Sequence, residues 1–424
     1  MMPNLPQAEP CRLVSSDPAL AAHSRRVAAM ALEIARNLPL PRPSLAMLDQ
    51  SARLHHASQV TQPSPLDRLL RDLSIATAKV RAGTLSRERT IALWAFHGIV
   101  SREPDPTIRK LAELLTLSDL LDEQMELDLL EPKTMPVIWR ELGELRGMFS
   151  TAVLEAAQKA FPGISNTPAS REWQVPVQAA TASELVRGLA WSEHDYESLV
   201  AVAGRDPTLA GHLIRAANSA LYGRTNPVRT IPEAVGFLGT EDTRKLMMAL
   251  ALRPLFASAG LLAVWKHSLA ISRFCQGLAS ATSGLPYEEA LLLGLMHDVG
   301  RLALHHQNRQ HMEATARLVE AGCPPTYVEQ LLFGKGHAEI GAELLASWRF
   351  PEDMVEAVRQ HHRPANSSSP GAAALYLAEF WSETDEDLPS IRHLASAFSV
   401  LGCSMEILGK ITRFQGPLAA LMAA

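Results

Sequence analysis

Apolar residues recur along this chain at three- and four-residue steps, the spacing that lines one face of an α-helix. The first such stretch carries Leu20, His23, Val27, Ala31, Ile34 and Leu38, with Asp17 placed as an N-cap and Pro18 at the first helical position. His23 therefore falls on the apolar face, where a satisfied core or boundary histidine is the plain expectation. Prolines over 39–43 break the pattern. Ser44 then predicts the cap of a second helix with Leu45, Leu48, Ala52 and Leu54, ending at His55-His56. Helical spacing returns over 66–100, 108–121 and 135–161. Almost no segment alternates apolar and polar residues with period two, so the predicted fold class is all-α.

A polar run with Gly and Pro over 163–170 predicts a linker. Beyond it, Asp206-Pro207 repeats the Asp-Pro helix start, and the helix runs through Ala217-Asn218-Ser219-Ala220. Thr230 and Glu233 form a capping box, Gly239 closes that short helix, and Thr240 opens another through Leu252. The next helix, over 265–280, places His267, Ile271, Phe274 and Leu278 on one face. Helices are also predicted over 312–321, up to Trp348, from Pro351 to His361-His362, and over 372–381. Trp191, Trp265, Trp348 and Trp381 are expected to anchor core or interface.

The stretch that organises this pattern is the apolar run over 291–296, which ends in His297-Asp298 and is followed by Gly300. A His and an Asp at the end of a core helix must be paired or bind a metal. Neighbouring residues on a helix point about 100° apart. The two can serve one ion only in a cleft formed with other helices. The halves of the chain also echo each other. His23 precedes His55-His56 by 32 residues, and His267 precedes His297-Asp298 by 30.

Composition narrows the function. The 424-residue chain has room for two or three domains. Its net charge of −5 gives no basic excess for nucleic acid, so DNA is not an expected partner. Cys11, Cys275, Cys323 and Cys403 stand far apart with no CxxC pair, as reduced thiols of a cytoplasmic protein do. No apolar run approaches a membrane span and no signal peptide is read, so a cytoplasmic location and no membrane partner are expected.

Taken in order, Asp206-Pro207, the Ala-Asn-Ser-Ala run, Ile231 through Gly239, Trp265-Lys266-His267-Ser268, Gly294 through Leu302, Gly336 through Trp348 and His361-His362-Arg363-Pro364 resemble an HDOD domain, the HD-related output domain of bacterial signalling proteins. The resemblance covers roughly 170–370. The first half resembles, more faintly, the HD-GYP relatives of the same superfamily, with His56 in the position of the motif's Asp and no Gly-Tyr-Pro signature.

The resemblance implies an all-α architecture of two HD-like helix bundles. The boundaries read as a leader over 1–14, a degenerate HD-like domain over 15–162, a linker over 163–172, an HDOD domain over 173–390 and a C-terminal helical segment over 391–424. It also implies a ligand set. His267, His297, Asp298, His337, His361, His362 and Glu379 fall where HD-superfamily hydrolases hold one or two divalent metals, and such donors suit iron, manganese or zinc. Glu379 stands for the late Asp of those enzymes, one methylene longer. Arg301 stands where they often keep a phosphate-contacting Lys.

Two readings of the second-half residues stay open, a metal centre and a buried hydrogen-bonded network with Asp298 accepting from His267 or His361. In the first half, His23, His55, His97 and Asp119 are expected to form a polar core cluster without a full ligand set. His305, His306 and His311 are expected on a solvated face. The leading functional expectation is a non-catalytic signalling or regulatory protein that acts by binding a signalling protein partner or a small ligand such as a nucleotide or cyclic dinucleotide. The alternative is a metal-dependent phosphohydrolase acting on a nucleotide or cyclic dinucleotide.

Overall fold

A computed structural model of the chain describes residues 18–55, 98, 100–128, 146–164, 185–189, 195–205, 207–218, 228–256, 261–282, 284–306, 309–382 and 391–411, with a few isolated positions between. The described residues form helices and no strands. In order these are α1 (Pro18–Ala35), α2 (Arg42–Leu54), α3 (Pro106–Asp128), α4 (Thr151–Ala160), α5 (Tyr196–Gly204), α6 (Pro207–Ala217), α7 (Ile231–Leu238), α8 (Thr240–Leu252) and α9 (Leu262–Ala281). There follow α10 (Tyr287–Met296), α11 (Gly300–His305), α12 (Arg309–Glu320), α13 (Pro325–Phe333), α14 (His337–Ser347), α15 (Glu352–Arg359), α16 (Pro370–Trp381), α17 (Ile391–Leu401) and α18 (Met405–Ile411). The leader, Asp17, His56, His97, Trp191, Asp206, most of the predicted linker and the stretch beyond 411 lie outside the described residues.

Local sequence explains many of the ends. Thr230 caps α7 by accepting from the Glu233 amide, while the Glu233 carboxylate accepts from the Arg229 amide. Gly239 closes α7 at φ 82°, a conformation that favours glycine. Ser369 caps α16 on the Ala372 amide. One predicted start is corrected. The second helix begins at Arg42, with Pro41 as its flanking residue and Ser44 inside the first turn. Pro43 suits that turn because the first helical amides need no partner there and its φ is already helical.

The helices group into two compact units. The first comprises 1–169 and 313–334, and the second 170–312 and 335–424. In the first unit, α1 buries Val27, Ala28, Met30, Ala31 and Ile34 against α2, α3 and α4. The segment 313–334 joins this core. Arg317 makes a two-pronged pair with Glu33 at 3.0 Å, and the Tyr327 hydroxyl donates to the Leu121 carbonyl at 2.7 Å.

The second unit is built around α9 and α10. Every residue from Ala290 to Val299 is buried, and each fully buried leucine in such a run contributes about 1.5–3 kcal/mol. Trp265 is buried against Phe256, and Trp348 and Trp381 pack half-buried on the same core. The crossing of α9 and α10 is close. A Cβ on Gly294 would lie 2.3 Å from the Ser272 Cα, so only glycine fits. Among the described residues no helix is long and apolar enough to cross a membrane.

Candidate metal centre

Five elements of the second unit deliver histidines and carboxylates to one place. The α9 helix carries His267, the end of α10 carries His297, and Asp298 follows in the turn before α11. His337 is the first residue of α14, His361 and His362 follow α15, and Glu379 lies in the last turn of α16. Glycine again sets the approach. A Cβ on Gly300 would lie 2.0 Å from the His337 carbonyl oxygen, so the start of α11 rests directly on the start of α14. That contact brings His337 to Asp298.

The donors form two adjacent groups. In one, Glu379 Oε1 lies 2.8 Å from His297 Nε2 and 2.9 Å from His267 Nε2, and the two Nε2 atoms are 3.2 Å apart. In the other, His337 Nε2 lies 2.9 Å from His362 Nε2 and 3.3 Å from His361 Nε2. Asp298 stands between them. Its Oδ1 is 3.1 Å from His337 Nε2 and 3.7 Å from His297 Nε2, and its Oδ2 is 3.0 Å from Arg301 Nε and 3.9 Å from His267 Nε2. The expected acceptance by Asp298 from His267 or His361 is therefore corrected: its nearest partners are His337 and Arg301. The extra methylene of Glu379 does not displace its carboxylate, which reaches both histidines of its group.

Burial and charge set the protonation. His297, His337 and His361 are fully buried. Burial opposes ionisation of Asp298, but Arg301, His297, His337 and His267 outweigh it and hold the carboxyl well below its usual range. Glu379 is likewise held low, with His267 and His297 overcoming its burial. Burial would lower His297, yet Asp298 and Glu379 raise it to about 9. His361 is pushed down to about 3 by burial and by the neighbouring His337 and His297, and His362 is pushed down for the same kind of reason.

This arrangement fits a metal. His297 Nδ1 faces the Gly294 carbonyl at 2.7 Å and His361 Nδ1 faces the Val358 carbonyl at 2.6 Å. A carbonyl only accepts, so each Nδ1 carries a hydrogen, and an ion that displaces any proton at Nε2 would meet a lone pair turned inward there. His337 Nε2 then meets His361, His362 and Asp298 at once, and a proton there can bond to only one of the three. A cation among them engages all. His267, His297 and Glu379 offer one group of three donors, and His337, His361 and His362 offer another.

The first unit holds a smaller cluster. His23, His55 and Asp119 present donors within 4.8 Å of one another, and Asp122 and Arg26 adjoin them. His23, His55 and Asp119 thus form the expected polar core cluster, with His97 outside the described residues. The buried Arg26, one turn after His23, demands a carboxylate, and Asp119 and Asp122 sit one turn apart on an apolar helix.

Comparison with known proteins identifies part of the chain. A profile of the HDOD domain matches residues 175–364. This stretch is an HDOD domain. A Marinobacter aquaeolei VT8 protein named for signal transduction has a similar fold, with a TM-score of 0.50 and 22% identity over 64% of each chain. An HDOD domain protein of unknown function from Geobacter sulfurreducens gives 0.49 at 21% identity, over 63% of this chain and 95% of that one. A Shewanella amazonensis SB2B protein provisionally named a phosphohydrolase gives 0.47 at 24%, over 65% and 99%. A protein of uncharacterised function from Treponema pallidum (strain Nichols) is 25% identical over 198 residues, which span 46% of this chain and 39% of that relative.

The HDOD domain contributes His267, His297, Asp298, Arg301, His337, His361 and His362, whereas Glu379 comes from beyond the matched stretch. Within the same domain, Asn218 clamps the backbone of Val228 from both sides, donating to its carbonyl at 2.7 Å and accepting from its amide at 2.6 Å. This residue is structural.

Proposed function

We propose that the HDOD domain, with Glu379, holds a dinuclear divalent-metal centre and that the protein is a metal-dependent phosphohydrolase acting on a nucleotide or cyclic dinucleotide. The observation that carries the reading is Asp298, a buried carboxylate standing between two complete three-donor groups. Iron, manganese and zinc suit such imidazole and carboxylate donors. A bound pair supplies an activated water near neutral pH and stabilises charge on phosphoester oxygens. The chain's own residues do the rest. Gly294 and Val358 carbonyls fix the tautomers of His297 and His361. Arg301 orients Asp298 and adds positive charge beside the centre, where an anionic phosphate benefits from it.

A second reading is favoured by burial. His297, His337 and His361 are wholly enclosed, and the most exposed side chains at the centre include His267 and Arg301, at only 17% and 18%. A centre this enclosed suits a cytoplasmic regulatory protein that docks on a signalling partner and uses the ion to hold one helix arrangement. Turnover separates the two. Manganese-loaded protein is expected to cleave bis(p-nitrophenyl) phosphate or a cyclic dinucleotide, with Asp298→Ala lowering kcat/KM by more than about 100-fold. Metal-loaded protein that cleaves neither substrate would overturn the hydrolase and leave the regulatory reading.

A further inference from the structure

We propose that the second unit carries a further ligand site, a cleft between the starts of α10, α15 and α16 that takes a small organic cation with an apolar body. Its occupancy is expected to tighten the metal centre at the far ends of the same helices. The binding stands on the cleft alone, whereas the tightening rests on the metal-centre reading above.

The cleft has a volume of about 270 Å³. That lies just below the range of drug-sized pockets and suits a compact molecule. Prolines form much of its wall. Pro286 flanks α10, Pro351 flanks α15 and Pro370 is the first residue of α16. A proline has its φ fixed and little side-chain freedom to lose, so these walls hold their shape without a ligand. The floor is apolar and buried, with Leu293 from α10 and Met354 and Ala357 from α15.

Charge selects the ligand. Glu289 of α10 and Asp353 of α15 line the cleft, Glu289 half-buried and Asp353 exposed at the rim. Asp353 Oδ1 accepts from the Met354 amide at 2.9 Å, which holds the carboxylate at the helix start. Among the described residues no basic side chain lines the cleft. Each helix start contributes about half a unit of positive charge, less than the full charge of a carboxylate in its first turn. The rim at α10 and α15 therefore stays negative. The start of α16 offers little to an anion, because the Ser369 hydroxyl already accepts from the Ala372 amide at 3.3 Å. An ammonium group facing the carboxylates, with its hydrocarbon body on Leu293, Met354 and Ala357, satisfies both kinds of lining.

The floor couples the cleft to the donors. Leu293 lies four residues before His297 and Ala357 four residues before His361, about one helical turn in each case. Gly371 lies at the start of the helix that carries Glu379. A Cβ on Gly371 would lie 2.8 Å from the Ala357 Cβ and 3.1 Å from the Leu293 Cδ2, so the three helices meet there without slack. A molecule that fills the cleft braces the three helix starts at the spacing that accompanies assembled donors. A ligand shifts an equilibrium only by preferring one state, and this one prefers the assembled state.

The test uses the full chain stripped of metal, with phenethylamine as the probe, phenethyl alcohol as its neutral counterpart and phenylacetate as its anionic one. Binding is read by calorimetry and by the ε-methyl resonance of Met354, assigned with Met354→Leu. Phenethylamine is expected to bind with a Kd of about 1 mM or below, a strength open to so small a molecule, and to move the Met354 resonance. Phenethyl alcohol is expected to bind about tenfold more weakly, and phenylacetate not at all. Glu289→Gln/Asp353→Asn is expected to bring phenethylamine down to the level of the alcohol, with thermal melting as the check on folding. Titration with Mn²⁺ is expected to show ion affinity raised at least about fivefold by phenethylamine, a gain lost in the double variant. A folded chain that does not bind the amine, binds it no better than the alcohol, or binds it equally in the double variant would overturn the site. Amine binding that leaves Mn²⁺ affinity unchanged would overturn the coupling. A chain that binds the amine at Met354 and holds no metal would overturn the metal-centre reading and uphold this site.

Discussion

The residues that matter most here are those whose polar atoms tie separate segments together. Asn218, itself exposed, is the simplest case, because the Val228 backbone it holds is buried. Its amide replaces a missing stretch of backbone pairing at Val228, where a lost side chain leaves a buried donor and acceptor unsatisfied. Asn218→Ala is expected to cost about 1–3 kcal/mol, read as a lower midpoint in urea unfolding, and Asn218→Asp to cost less because the amide of Val228 keeps its acceptor. An unchanged midpoint in Asn218→Ala would show that the clamp is not structural. At this scale the sequence reveals the donors well. His297-Asp298 ends an apolar run, and a buried pair of that kind has few alternatives to pairing or metal binding. Which nitrogen meets which oxygen is not legible, because it depends on side chains brought from helices up to 112 residues away.

Helices position these side chains through their crossings. Gly294 lets α10 lie on the Ser272 backbone, and Gly300 lets α11 lie on the His337 carbonyl. Neither has a positive φ, so the requirement is space and not conformation. Gly294→Ala and Gly300→Ala are each expected to push the helices apart, lower stability by about 1–3 kcal/mol and weaken metal binding, since a displaced helix carries its histidine with it. Thermal melts beside metal titrations check this. A Gly300→Ala chain with unchanged melting and metal affinity would show that the approach tolerates a methyl group. The helices themselves are legible in the spacing of apolar residues, and Thr230, Gly239 and Pro351 mark their ends. The crossings are not, since a glycine inside an apolar run reads the same whether it touches another backbone or merely tolerates the helix.

At the scale of the molecule, the unit boundaries do not follow the chain. Residues 313–334 lie within the matched HDOD stretch and pack into the first unit, where Tyr327 and Arg317 bond to Leu121 and Glu33. A fragment ending at 169 therefore lacks part of its own core. It is expected to melt at lower temperature, or without cooperativity, compared with the same fragment supplied with a peptide of 313–334. A fragment that melts cooperatively and gains nothing from the peptide would contradict this grouping. Sequence order alone divides the chain at its linker and cannot show this return, because the apolar faces of α12 and α13 fit either half equally well.

Whether the donors of the second unit hold metal is decided by metal content. The chain is purified without chelator, and iron, manganese and zinc are quantified in the wild type beside Asp298→Ala, His297→Ala and His337→Ala. Each variant is expected to lose ions the wild type retains, with the largest loss in Asp298→Ala, the residue between the two donor groups. A wild-type chain that binds none of the three metals, even after reconstitution, would contradict it and return these histidines to the role of a buried hydrogen-bonded network.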